Sequence, residues 1–228
     1  MKINKVAVIG AGLMGSGIAA QVANAGFPVT LLDIVPDGAT NRNVIAESAV
    51  REMLKPVKLG SPAPLMHKKN AKLITTGNID DNLDLIKDAD LIIEVVLERL
   101  DIKHDVFSKI QKYRKKGSIV TSNTSTIPRE QLVKGMSESF AKDFMITHFF
   151  NPPRYLRLLE IVSGSEVSSD KVQIVSDFCD INLGKEIVVC NDTPGFIGNR
   201  IGTYWTLVGM VEAFKSNLTV EEADAVMS

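Results

Sequence analysis

The feature that most constrains this chain is the turn Gly10-Ala11-Gly12-Leu13-Met14-Gly15, set between an apolar β-like run at 5–9 and a helical pattern carrying Ile18, Ala19, Val22 and Ala25. Glycines at this spacing turn many loops, and alone they would mean only that. Between a strand and a helix they have a sharper use. Gly10 permits the tight turn, Gly12 lets the backbone approach a pyrophosphate, and Gly15 lets helix and strand pack closely. The anion rests on the unpaired amides at the start of the helix, around Leu13 and Met14, where the macrodipole favours negative charge. Asp33 stands 18 residues after Gly15, at the end of the next apolar run. A carboxylate there accepts hydrogen bonds from the ribose hydroxyls and repels a 2′-phosphate. The following Ile34-Val35-Pro36 offers no arginine to hold such a phosphate, so the expected cofactor is NAD rather than NADP.

Short apolar runs at 6–9, 29–32, 73–75, 91–96, 119–121, 144–147, 158–162 and 187–189 alternate with helical patterns. That alternation predicts an α/β fold of the Rossmann type, a doubly wound and mainly parallel sheet. The runs at 6–9 and 91–96 are apolar at consecutive positions, which places them at the centre of the sheet with helices on both faces. A helical stretch at 41–58, followed by Gly60-Ser61-Pro62-Ala63-Pro64, reads as a projecting helical arm and a stiff loop. After Asp192-Thr193-Pro194-Gly195 a new helical spacing begins at Ile197, Ile201, Tyr204, Leu207 and Val208. The boundaries are therefore 1–191 for the dinucleotide-binding domain and 192–228 for the start of an all-α domain. One or two helices cannot enclose a core, so the chain is expected to be a fragment of a longer protein.

The balance of charge is ordinary, with 23% charged residues and a net charge of -1, and lysine pairs at 68–69 and 115–116 lie among acids. A nucleic-acid partner is not expected. Two cysteines, Cys179 and Cys190, are too few for a disulfide framework or a metal-ligand pattern, so no metal is expected and a reducing, cytoplasmic setting is. No apolar run approaches the roughly 18 residues needed for membrane insertion.

The cofactor does not fix the chemistry, which has to be read from the site. Thr147-His148-Phe149-Phe150-Asn151-Pro152 ends one β run, and Glu160 lies twelve residues beyond His148 in Leu158-Leu159-Glu160-Ile161-Val162. A carboxylate flanked by apolar residues is costly to bury unless paired. His148 is the obvious partner: a carboxylate on one ring nitrogen fixes the tautomer and leaves the other nitrogen for proton transfer. The plainer alternatives are a structural histidine and a solvent-facing acid. Ser122-Asn123-Thr124-Ser125-Thr126 follows another strand, where its hydroxyls bind a substrate oxygen or cap a helix. Asn199 falls in the first turns of the helix after the domain break, facing a cleft or solvent.

Taken together, G-A-G-L-M-G-S-G-I-A (10–19), L-L-D (31–33), E-V-V-L-E (94–98), S-N-T-S (122–125), H-F-F-N-P (148–152), L-L-E (158–160) and T-P-G-F-I-G-N-R (193–200) resemble the L-3-hydroxyacyl-CoA dehydrogenases of fatty-acid β-oxidation. The likeness is strongest to multifunctional members fused to an enoyl-CoA hydratase-like domain. It implies NAD-dependent oxidation of (S)-3-hydroxyacyl-CoA to 3-ketoacyl-CoA, with His148 as base and Glu160 as its acidic partner. It further implies that Ser125 contacts substrate and cofactor, that Asn199 is an active-site asparagine, and that Glu98, Lys103 and Asn151 contact NAD. Ser48 and Lys55 on the arm match CoA contacts. The implied partners are an acyl-CoA substrate, a second copy in a homodimer of the full-length protein, and the fused hydratase domain. Gulonate dehydrogenase-like enzymes share much of the pattern, and a non-catalytic NAD-binding module would need the glycine turn without the His148, Glu160, Ser125 and Asn199 set.

Overall fold

Each of the eight apolar runs is a strand, and their order across the sheet fixes where a ligand can sit. In the computed structural model, which describes residues 1–56 and 62–227, the strands are β1 Val6–Ile9, β2 Val29–Asp33, β3 Ile74–Asn78, β4 Leu91–Glu94, β5 Ile119–Ser122, β6 Phe144–Phe149, β7 Leu158–Ser163 and β8 Glu186–Val189. They form one sheet in the order β3-β2-β1-β4-β5-β6-β7-β8. Every neighbouring pair is parallel except β6 and β7. The order reverses between β1 and β4, the topological switch point at which open α/β sheets bind ligands outside the carboxyl ends of their strands.

Both faces of the sheet are covered. Val6 and Val8 of β1 enter one apolar cluster and Ala7 and Ile9 enter the other, so consecutive apolar residues in β1 follow directly from burial on two sides. Helix α1, Leu13–Asn24, lies against β1 and β2 through Gly15, Ile18, Ala19, Val22 and Ala23, whose small side chains allow close approach. On the other face α3, Leu100–Tyr113, buries Val106, Phe107 and Ile110, with Phe107 packed edge-on against Phe144 at 5.1 Å. Short helices α4, Arg129–Val133, and α5, Glu138–Ala141, lead into β6, and α6, Ser169–Asp177, runs into a π-helical turn, Phe178–Asn182, before β8.

The helix expected at 41–58 is α2, Val44–Met53, shorter than the sequence reading. Asn41 to Asn43 are drawn instead into a polar knot in which Arg42 pairs with Asp81 and Asn43 accepts from buried Asn78. Its inner side chains Ala46 and Met53 join the core. Residues 57–58 of the expected arm, and Gly60 and Ser61 of the expected stiff loop, lie outside the described residues. At the far end, α7, Gly198–Lys215, and α8, Val220–Met227, pack on each other and bury no residue. Trp205, Leu207, Met210, Val211 and Phe214 stand exposed on α7. No helix of the described residues is long and apolar enough to cross a membrane.

Candidate active site

The glycine turn joins β1 to α1 at the switch point. Gly10 has a φ of +108°, open to glycine at little cost, and a Cβ there would come within 2.5 Å of the Val95 carbonyl oxygen. A Cβ on Gly12 would meet nothing within 4 Å, so the backbone here is bare to a ligand. Helix α1 starts with no side-chain cap and no acid in its first turn, leaving its first amides free for an anion. Around this bare turn the apolar side chains of Leu13, Ile34 and Leu97 are exposed at the carboxyl ends of β1, β2 and β4. Asp33 closes the far side: one carboxylate oxygen accepts from the Ala11 amide and the other from Ile34 N at 2.7 Å. The residues present therefore suit a dinucleotide, with an amide cradle, an apolar lining and an acid at the ribose position.

His148 and Glu160 face each other across the antiparallel β6–β7 junction, directly opposite in register. Their side chains therefore rise on one face of the sheet, and His148 Nδ1 lies 2.7 Å from Glu160 Oε2. An ionised Glu160 needs the proton on Nδ1, which leaves Nε2 as a lone-pair acceptor. Nε2 makes no hydrogen bond within the described protein, and it is not a sealed, unpartnered atom. The other oxygen of Glu160 accepts from the Ile197 and Gly198 amides at 3.0 and 2.7 Å. The carboxylate thus sits on the N-terminus of α7 and pays for its burial with three donors. Phe150 and Phe196 flank the imidazole, with ring centroids at 4.5 and 5.6 Å.

Because Glu160 cannot both keep Nδ1 protonated and be neutral, Glu160→Gln is expected to lower turnover roughly 10²-fold or more. An amide that donates to Nδ1 moves the ring proton to Nε2, where it blocks proton acceptance. Steady-state rates across pH check this, and an unchanged rate and profile would make Glu160 a structural anchor only.

Ser125 and Asn199 come together at the same edge, where Asn199 Nδ2 makes a long 3.5 Å contact to the Ser125 carbonyl oxygen. Glu98 holds the 122–126 loop in place, accepting from Thr124 Oγ1, Ser125 N, and the amide and hydroxyl of Thr126. Partial burial pushes its carboxyl up, but these donors and the charge of Lys103 outweigh burial and hold it below the usual glutamate range. The loop therefore keeps this anchor at neutral pH and loses it as the pH falls through that lowered value.

Within the chain, residues 5–193 match the family model described as 3-hydroxyacyl-CoA dehydrogenase, NAD binding domain. The chain belongs to the 3-hydroxyacyl-CoA dehydrogenase family. A Deinococcus radiodurans protein named a probable 3-hydroxyacyl-CoA dehydrogenase is 46% identical over 98% of the chain and 64% of its own length. A Rickettsia felis protein, which carries the name of a fatty acid oxidation complex trifunctional enzyme, is 46% identical over 89% of the chain and 28% of its own length. The chain thus spans less than two thirds of the first relative and less than one third of the second. The crystal structure of FadB2 from M. tuberculosis superposes with a TM-score of 0.77 at 27% identity, covering 97% of this chain and 75% of that one.

The remaining family positions separate. Asn151 is exposed two residues past the end of β6, the strand that carries His148. Lys103 is buried, its ammonium 2.8 Å from Glu94 and 3.2 Å from Glu98, so it braces Glu98 from inside. Ser48 accepts from Arg51 at 2.6 Å and Lys55 pairs with Glu52 at 2.7 Å, both on the α2 side and neither touching the His148–Glu160 pair. Sequence reasoning missed Glu94 and the tie made by Asn123, and it read the Ser122 hydroxyl as a substrate ligand or a helix cap, whereas it donates to Glu94. Glu94 is fully buried, receives Ser122 Oγ at 2.6 Å and Val96 N at 2.7 Å, and ends β4. Asn123 Oδ1 receives Phe149 N at 2.9 Å, tying the loop to the histidine strand. The signal for Glu94 was present: an acid inside an apolar run, as for Glu160.

Burial pushes the Cys179 thiol up to about 12 and that of Cys190 to about 11. Neither is a nucleophile at neutral pH.

Proposed function

We propose that this chain carries the catalytic machinery for NAD-dependent oxidation of an (S)-3-hydroxyacyl-CoA to the 3-ketoacyl-CoA. The observation that carries the reading is the buried His148–Glu160 pair at 2.7 Å, with Nε2 free, on the same strand-end edge as the glycine turn. Bound NAD supplies the hydride acceptor. His148 Nε2 takes the proton from the 3-hydroxyl as C3 gives up its hydride, and Glu160 stabilises the imidazolium through the Nδ1 proton. In reduction the same nitrogen returns the proton to the 3-keto oxygen. Ser125 and Asn199 hold the reacting oxygen and its neighbours, Asn151 and Glu98 contact NAD with Lys103 bracing Glu98 from inside, and Ser48 and Lys55 face the CoA. The name of the Deinococcus radiodurans relative supports the substrate class.

A longer protein containing this chain supplies what covers the apolar side of α7 and α8: further helices and the partner subunit of a homodimer. The name of the Rickettsia felis relative, a trifunctional enzyme, supports a fused hydratase-like activity as well. NADH oxidation with acetoacetyl-CoA and with a longer 3-ketoacyl-CoA tests the reading, run on this chain beside a version extended past Ser228. Thioester-dependent oxidation, stronger in the extended version, is expected. No oxidation by either version would move the chain to the gulonate-type enzymes or to a binding module.

A further inference from the structure

Lys185 is 2% exposed, yet no acid lies within ion-pair distance of its ammonium among the described residues. Burying a cation without a counter-ion is costly, and a methionine would fill a similar volume without the charge. Burial accordingly pushes its ammonium below the usual lysine range. What the amino group serves is the connection between β6 and β7. Pro152 and Pro153 have no N–H, and the amides of Tyr155 and Leu156 both donate to the Pro152 carbonyl at 3.0 Å. The carbonyl oxygens of Pro153 and Leu156 are then left facing inward, and each is met by Lys185 Nζ, the latter at 2.8 Å. One ammonium carries three donors, enough for both. It also sits 5.8 Å from the Phe149 ring centroid, on the side of β6 opposite His148.

The same connection is fixed at two other points. Pro153 is buried against α1, where a Cβ on Gly17 would come within 3.0 Å of it. Arg154 donates to the Ala63 carbonyl beyond α2. Asn151 is the second residue of this connection, after Phe150.

We propose that Lys185 is a positioning residue: its buried ammonium clamps the 150–157 connection through the Pro153 and Leu156 carbonyls and so holds Asn151 at the cofactor. The proposal rests on the NAD-binding reading above. In the full chain, Lys185→Met is expected to weaken NADH binding at least about tenfold, since small misplacements of a binding group cost that much, and to speed tryptic cleavage after Arg154 or Arg157 in the folded protein. A merely structural lysine lowers the melting temperature and leaves NADH affinity and cleavage at these two sites unchanged; that result overturns the proposal. Should Lys185→Met fail to fold, Lys185→Gln, whose shorter side chain keeps an NH2 donor group without the charge, is read in the same way and is expected to show a smaller loss of the same kind. If the wild-type chain itself binds no NADH, the cofactor reading fails, and cleavage after Arg154 and Arg157 still decides whether Lys185 clamps the connection.

Discussion

His148→Ala is expected to lower turnover by roughly 10²–10⁴-fold, the range that general bases supply, while NADH affinity moves by no more than a few-fold. The two effects separate because the proposed role of the residue is in the proton path and not in the cradle. The glycine turn and Asp33 make their contacts without it, whereas no other described side chain near Glu160 offers a nitrogen of suitable basicity. The fold should tolerate the change. Glu160 keeps the amides of Ile197 and Gly198, so removing the imidazole does not leave a buried carboxylate without donors. Steady-state reduction of acetoacetyl-CoA and titration of NADH fluorescence measure the two quantities. A variant as active as the wild type would remove His148 from the chemistry and with it the proposed reaction.

Two glycine substitutions three residues apart are expected to fail in opposite ways. A Cβ on Gly15 would lie 1.8 Å from the Gly10 carbonyl oxygen and 2.9 Å from its carbon, a collision with backbone that no rotamer relieves. Gly15→Ala therefore deforms the turn itself, and both thermal stability and NADH binding should drop. A Cβ on Gly12 meets no protein atom within 4 Å, so the expected cost of Gly12→Val to the fold is small, about 1 kcal/mol for a poorer N-cap. Its isopropyl group occupies the space where a pyrophosphate approaches, and NADH affinity should fall by about 10²-fold or more. Melting curves and NADH titrations on both variants check the contrast. Tight binding to Gly12→Val would move the cofactor off this turn.

The strands were legible because a sheet covered on both faces writes itself as short runs of consecutive apolar residues, and each of the eight runs is a strand. The His148–Glu160 pair was legible for a related reason: an acid among apolar neighbours announces a partner. Glu94 sent the same announcement and was passed over, because its partner Lys103 lies nine residues on in what reads as an ordinary amphipathic helix. Lys185 was invisible for a deeper reason. Its partners are main-chain carbonyls 29 and 32 residues away, and no side-chain pattern records where a carbonyl points. The start of α2 differs from the sequence reading for the opposite cause: Asn41 to Asn43 continue a helical spacing, but side-chain bonds to Asn78 and Asp81 draw them into a turn.

The proposed base and its carboxylate are opposite residues of the one antiparallel strand pair among the described residues, and that has a consequence for how such an enzyme can change over time. Within either strand a single inserted residue would carry one partner through to the other face and end proton transfer at a stroke. Between the strands, length and composition are free as far as this pair is concerned, because alignment is set by the ladder and not by the link. Acid–base chemistry and cofactor grip are thus separately mutable, and a lineage can rebuild the link, and the specificity beside it, without reinventing the reaction.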